Sequence, residues 1–206
     1  PRFGITYELV DATDLQAWQK ALSKPTAAVF IESPANPMLT LTDIEAVASL
    51  AHKAGAKVIV DNIFATPLYQ KPLELGADLV VYSTTKHMDG QGRTLGGAIL
   101  GAEDFITNTV IPFHRHTGPA LSPFNAWVIL KGLETLPLRM KQHTENAQAL
   151  AELLETHPKI ARGFTSYAAS RMRAKKFPTT QIFLIRLIGA PHYHRPGISN
   201  PFSRAP

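Results

Sequence analysis

The sequence predicts an α/β fold: a mostly parallel sheet with flanking helices. Two observations carry the prediction. From residue 27 short apolar runs alternate with helical stretches, in the order strand, helix, strand, helix, strand. Each of the three apolar runs stops at a polar cluster, and neither a repeat nor a low-complexity tract interrupts the series.

Ala27–Ile31 (AAVFI) reads as the first strand, ended by the breakers Glu32-Ser33-Pro34-Ala35-Asn36-Pro37. A helix is expected over about 42–54. Thr42 and Glu45 have the capping-box spacing, Ile44, Val47, Ala48 and Ala51 share one face, and Gly55 ends it. Lys57–Val60 is the second strand, stopped at Asp61-Asn62, and a short helical connection over 67–75 leads to a third, Leu79–Tyr82. That strand stops at Ser83-Thr84-Thr85-Lys86, after which Thr94–Leu100 returns as another. Ser122-Pro123 reads as cap and first residue of a helix to about Leu136. Pro137 opens a longer helix with a stripe of Met140, Ala147, Leu150, Ala151 and Leu154, closed by Pro158. Trp18, Trp127, Phe124 and the methionines read as core. Gln181–Ile188 could form one more strand; the rest of the tail suggests no fold.

At 206 residues the chain accommodates one large domain or one and a half. A hydrophobic share of 45% and a charged share of 18% suit a soluble globular protein. No apolar run is long enough to cross a bilayer, and no basic-then-apolar leader opens the sequence. The absence of cysteine excludes disulfides and thiolate chemistry, so a cytoplasmic location is expected. The net charge of +5 is unevenly placed. Residues 1–156 hold 12 Lys/Arg against 16 Asp/Glu, whereas 157–206 hold 9 against none. The basic character belongs to the tail, which is Pro-rich and unlike everything before it, so neither a nucleic-acid nor a membrane partner is expected.

In parallel α/β sheets ligands bind beyond the carboxyl ends of the strands. If the three strands are neighbours, Asn36, Asp61, Ser83, Thr85 and Lys86 converge on one crevice. An amine partly desolvated at a strand end can attack an aldehyde. Hydroxyls one and three positions before it can donate to a phosphate. A carboxylate on the adjacent strand can hold a pyridinium nitrogen protonated, and an amide can donate to a phenolate oxygen. The eight histidines show no paired metal-ligand spacing within one element. Taken alone, Asp61 could equally be a metal-binding acid after a strand, although no Gly-x4-Gly-Lys-Ser/Thr loop accompanies it. Asn36 and Glu32 could merely brace the Pro34/Pro37 turn. Gly90, Gly92, Gly96 and Gly97 read as turn and close-packing glycines, and His87, His114 and His116 as capping or packing residues.

Together Glu32-Ser-Pro-Ala-Asn-Pro37, Val60-Asp-Asn62, Ser83-Thr-Thr-Lys86 and Gly96-Gly97 resemble the Cys/Met-metabolism branch of fold-type-I pyridoxal-phosphate enzymes, the cystathionine γ-synthase-like family. The resemblance covers about Pro1 to His157. It implies that Lys86 carries pyridoxal 5'-phosphate as a Schiff base and that Asp61 pairs with the pyridine nitrogen. Ser83 and Thr85 would bind the phosphate, and Asn36 the ring oxygen.

The loops His87–Arg93 and Arg115–Trp127 are similar to those of O-succinylhomoserine sulfhydrylases. They imply γ-replacement on an O-acylated homoserine, with O-succinylhomoserine and sulfide giving homocysteine and succinate in methionine biosynthesis. Arg93 and Arg115 would contact that amino-acid substrate. Cystathionine γ-synthase, γ-lyase and methionine γ-lyase chemistry are the alternatives. Family members are homotetramers built from dimers that share active sites.

The resemblance also implies missing parts. Family members are much longer, and their front portion carries a ring-stacking aromatic, a Gly-containing phosphate loop, and a Tyr and an Arg that reach the neighbouring subunit. The small domain's carboxylate-binding Arg has no counterpart here either. The expectation is a fragment of a fold-type-I large domain over 1–136, a linking helix toward a small domain over 137–157, and an atypical basic tail over 158–206, of the kind a shifted reading frame produces. Such a chain is expected to be inactive by itself and poorly soluble.

Overall fold

The protein is represented by a computed structural model that describes residues 3–155, 157–158, 160–165 and 183–187. Strands β1 (Ala28–Glu32), β2 (Lys57–Asp61), β3 (Leu79–Ser83) and β4 (Gly97–Gly101) form one sheet in chain order. The first three are parallel and β4 runs antiparallel to β3. Each parallel strand includes the first polar residue that was expected to stop it. A polar side chain ends burial, but its backbone can still pair: Glu32 lies in register with Asp61, and Asp61 with Val81. The return strand is shorter than expected at its start, since pairing begins only at Gly97 opposite Ser83.

Helix α1 (Leu15–Ala21), unassigned from sequence, is capped by Asp14, whose carboxylate accepts from the amides of Gln16 and Ala17. Helix α2 (Ile44–Lys53) buries Ile44, Val47, Ala48 and Ala51, the expected face. Its cap differs from the expected one. Asp43 accepts from Ala46 N, while Thr42 is held in the preceding loop, its amide donating to Ser33 Oγ at 3.1 Å. The connection to β3 is α3 (Thr66–Tyr69) and a 3-10 turn (Pro72–Leu75). After β4 come α4 (Glu103–Phe105), a π turn (Ile106–Val110) and α5 (Ile111–Thr117), none of which the sequence announced. Ser122 caps α6 (Pro123–Glu134) by accepting from Asn125 N, and α7 (Leu136–Glu155) follows. Strands β5 (Ile160–Thr165) and β6 (Phe183–Leu187) pair antiparallel, so a strand does form within the expected segment. The remainder of the tail lies outside the described residues.

The core packs α2, Trp18, Met88 and Ile129 against Val29, Ile31, Val58, Val60, Val80 and Tyr82. These sheet residues share one face, because side chains alternate along a strand. The other face is more open: Phe30 is 63% and Ile99 50% exposed. Phe124, Trp127, Met38 and Leu150, expected in the core, are exposed. Helix α6 explains two of these. It is apolar nearly all round, so burying Val128, Ile129 and Gly132 turns Phe124 and Trp127 outward.

At the amino-terminal end of the sheet, Asp78 accepts from Lys57 Nζ and Val58 N, each at 2.8 Å, and lies 2.9 Å from His52 Nε2. Burial pushes its carboxyl up, but the hydrogen bonds from Lys57, Val58 and His52 outweigh that and bring it to about 2. A depressed folded-state value stabilises the protein above the unfolded value and is lost as pH falls toward the folded one. Asp78→Asn is therefore expected to cost about 1 kcal/mol at neutral pH, a figure reduced for its exposed partners. In urea melts the gap to the parent should close between about pH 4 and pH 2.

Candidate active site

The three parallel strands lie side by side, so their carboxyl ends form one edge, with neighbours about 4.8 Å apart. Asp61 is the last residue of β2, flanked by Glu32 and Val81. The ladder runs one step further on both sides: Ser33 N donates to Asp61 O at 3.4 Å, and Asn62 N to Val81 O at 3.2 Å. Beyond Ser83 the chain folds into tight turns, with Lys86 N donating to Ser83 O and Gly90 N to Lys86 O at 2.7 Å. The topology thus brings Asp61, Ser83, Thr85 and Lys86 to a single edge.

Their side chains differ in what they are free to do. Asp61 Oδ1 accepts from Ile63 N at 3.0 Å, leaving its second oxygen unengaged among the described residues. Lys86 is exposed rather than partly desolvated, and its amine makes no hydrogen bond or ion pair among the described residues. The Ser83 hydroxyl is likewise unpaired there and half-buried. Thr85 Oγ1 accepts from Gly96 N at 3.0 Å and lies 3.4 Å from Gly96 O, so its proton is only weakly held and can turn to another acceptor.

Asn36 is exposed in the loop after β1, which contains cis peptides at Ser33-Pro34 and Asn36-Pro37. The loop is closed by Ala35 N donating to Thr40 O at 2.9 Å and Leu39 N to Ala35 O at 2.7 Å. The Asn36 amide takes no part in this bracing and stays available to a ligand.

Arg93 and Arg115 fall in different settings. Arg93 Nε donates to Asp89 Oδ1 at 2.9 Å, Nη2 to Asp89 O at 3.1 Å, and its backbone N to Asp89 Oδ2 at 2.6 Å. Only Nη1 is left over among the described residues. Arg115 lies exposed on α5.

Sequence reasoning missed the groups that hold this edge in place. Asn62 is fully buried; its Nδ2 lies 2.9 Å from Gln70 O, 3.2 Å from Thr66 O and 2.8 Å from Tyr82 Oη. Gln70 Nε2 donates to Asn62 Oδ1 at 2.8 Å and to Ser33 O at 2.7 Å. The network joins residues at the ends of β1, β2 and β3. Burial pushes the Tyr82 phenol up, partly offset by Asn62. Asp89 is buried too. Burial pushes its carboxyl up, but the backbone and side-chain hydrogen bonds from Arg93 outweigh this and hold it below the usual carboxylate range. An acid four residues before Arg93 was the available signal.

Among the described residues an unengaged amine, a half-free carboxylate, a free hydroxyl and a free amide stand at or just beyond the carboxyl ends of β1–β3, a donor set whose chemistry fits pyridoxal phosphate. The amine would meet the aldehyde, the carboxylate the protonated ring nitrogen, the hydroxyls the phosphate and the amide the ring oxygen.

Comparison with known proteins points to the same cofactor. The sequence pattern of the family described as Cys/Met metabolism PLP-dependent enzyme matches residues 1–176. Over 160 residues the chain is 58% identical to an O-succinylhomoserine sulfhydrylase of Mycobacterium tuberculosis (strain CDC 1551 / Oshkosh), covering 78% of this chain and 39% of that protein. It is 44% identical over 161 residues to an L-methionine gamma-lyase of Porphyromonas gingivalis, covering 77% and 40% respectively. The crystal structure of metB from Corynebacterium glutamicum superposes with a TM-score of 0.85 at 33% identity, covering 91% of this chain and 50% of that one. The chain therefore spans about two-fifths of the length of these curated relatives. Among the described residues no helix is long and apolar enough to cross a membrane.

Proposed function

Because the chain belongs to the family of Cys/Met metabolism PLP-dependent enzymes, we propose that its carboxyl edge is a pyridoxal-phosphate site serving chemistry at the γ-carbon of an O-acylated homoserine. The reading rests on one observation: Lys86, whose amine has no partner among the described residues, follows β3 at the same sheet edge as the half-free Asp61. O-succinylhomoserine with sulfide is the preferred substrate pair, giving homocysteine and succinate. Its support is the 58% identity to an O-succinylhomoserine sulfhydrylase, against 44% to an L-methionine gamma-lyase.

Bound there, pyridoxal phosphate supplies an electron sink for charge developing at the substrate's α-carbon. The protein's own groups do the rest. Lys86 Nζ would hold the cofactor covalently and would serve as the general base for the α-proton. Asp61 would accept from the ring N–H and keep that proton in place. Ser83 and Thr85 would donate to the phosphate and Asn36 to the ring oxygen. Arg115 and the remaining Nη1 of Arg93 are the cations offered to substrate carboxylates. Residues 1–136 act as part of the cofactor-binding domain, and 137–157 as a linking helix, in a cytoplasmic assembly of several such chains.

Borohydride reduction with pyridoxal phosphate, followed by peptide mapping, tests the site itself. A phosphopyridoxyl group on Lys86 and no other lysine is the expected result, and scattered labelling of surface lysines would refute it. Supplying O-succinylhomoserine with sulfide in one assay and with cysteine in another separates sulfhydrylase from γ-synthase chemistry. A chain labelled at Lys86 but silent in both assays would keep the cofactor site and count against the proposed substrate.

A further inference from the structure

Arg139 lies in the first turns of α7, more than fifty positions from Lys86 in sequence, yet its guanidinium is spent on the loop that Lys86 opens. Nη1 donates to His87 O at 2.8 Å and Nη2 to Met88 O at 3.3 Å, the two carbonyls that follow Lys86. Nη2 also donates to Gly132 O at 2.8 Å on α6, and Nε to Thr135 Oγ1 at 3.1 Å. All three guanidinium nitrogens are engaged, and their partners are carbonyl and hydroxyl oxygens rather than a carboxylate.

The loop has no slack against these partners. A Cβ at Gly132 would collide with Met88 O and come within 2.9 Å of Asp89 Cα. A Cβ at Gly90, where φ is +77°, would run into the Arg139 guanidinium. On its other flank the loop is pinned by the buried Asp89 through its bonds to Arg93. Backbone 87–90 is thus gripped between α6, Arg139 and its own ion pair, while the Lys86 side chain makes no hydrogen bond or ion pair among the described residues.

We infer that Arg139 is a positioning residue for Lys86: by bridging α6, α7 and the carbonyls of His87 and Met88, it sets where the lysine's backbone stands relative to the Asp61 edge. This rests on the reading of Lys86 as the cofactor-anchoring amine. The geometry makes the guanidinium fork, not its charge, the operative feature. A lysine at 139 keeps the charge but offers one nitrogen where three are used.

The experiment follows the rate of borohydride-trapped phosphopyridoxyl incorporation at Lys86, relative to the surface residues Lys53 and Lys141, in the full chain and in Arg139→Lys, Arg139→Ala and Gly132→Ala. Misplacing a reacting group by about 1 Å costs on the order of 100-fold. Labelling at Lys86 in Arg139→Lys should therefore fall by about 10- to 100-fold while that at Lys53 and Lys141 is unchanged. Free guanidinium at low concentration should restore Lys86 labelling in Arg139→Ala. Gly132→Ala, which displaces the same loop without touching a charge, should lose selectivity in the same way. Should Arg139→Ala fail to fold by circular dichroism, Arg139→Lys and Gly132→Ala decide. Parent-like rates at Lys86 in the folded variants overturn the positioning role and leave the cofactor reading intact. A parent protein that never singles out Lys86 overturns both.

Discussion

Lys86→Ala is expected to abolish phosphopyridoxyl incorporation at position 86 and to leave the fold as stable as before. The two halves of that expectation have different causes. The side chain is exposed and makes no hydrogen bond or ion pair among the described residues, so its loss changes stability by less than about 0.5 kcal/mol. On the proposed reading, the chemistry loses its covalent anchor and its base together. A positioned base contributes about 10²- to 10⁴-fold to proton transfer. Exchange of the α-hydrogen of a bound amino acid with deuterated water, followed by proton NMR, should slow by at least that factor in an assembly containing the variant. An added small amine such as methylamine should recover part of it, because an amine is what is missing. Asp61→Asn provides the contrast: Lys86 should still be labelled, but the carboxylate proposed to hold the ring proton is gone, so exchange should slow while labelling persists. If Lys86→Ala exchanged the α-hydrogen at the parent rate, residue 86 would be an ordinary surface lysine.

That the edge carrying Lys86 was legible in the sequence follows from how parallel strands end. Buried parallel strands read as continuous apolar runs, so their ends are abrupt, and the ligand side of the sheet is the side where they stop. Asp61, Ser83 and Lys86 each sit at such a stop, as does the loop that holds Asn36. The groups that set the geometry leave no comparable trace. Arg139 contacts carbonyls 51 and 52 residues away, and backbone acceptors carry no residue identity for a pattern to detect. Asn62 looked like the tail of a strand-ending cluster because its partners are mainly backbone carbonyls and a Gln eight residues on. Thr42 matched the capping box in spacing, yet Ser33 claimed its amide, a contact that local spacing cannot register. Phe124 and Trp127 failed for another reason. Apolar residues are permitted outside as well as inside, so composition on a helix that is apolar all round cannot say which side faces the core.

Asn62→Leu should be the most damaging single substitution in this edge, costing about 3–4 kcal/mol in urea or thermal unfolding. Leucine nearly matches the amide in volume, so packing changes little, but the polar partners lose their shared group. Gln70 Nε2 keeps only Ser33 O and Thr66 O only the Gln70 amide, while Gln70 O and the buried Tyr82 Oη each lose a donor. Leaving one buried group unsatisfied costs about 1–3 kcal/mol, and here several are affected at once, with some relief from Tyr82 and Gln70 re-pairing. Asn62→Asp should be no better at neutral pH, since it sets a buried carboxylate against carbonyl oxygens where an amide had donated. It should recover stability as the pH falls and the carboxyl protonates, a dependence that the leucine variant lacks. The functional consequence follows from where the network reaches. Through Gln70 it touches Ser33 after β1, and through Tyr82 it touches β3 one residue before Ser83. Loosening it therefore lets Asp61 and Lys86 shift relative to each other. In Asn62→Leu protein that is still folded at low temperature, trapping at Lys86 should fall while the surface lysines label normally. An unfolding midpoint unchanged from the parent would show that the amide does not bind these three strand ends together.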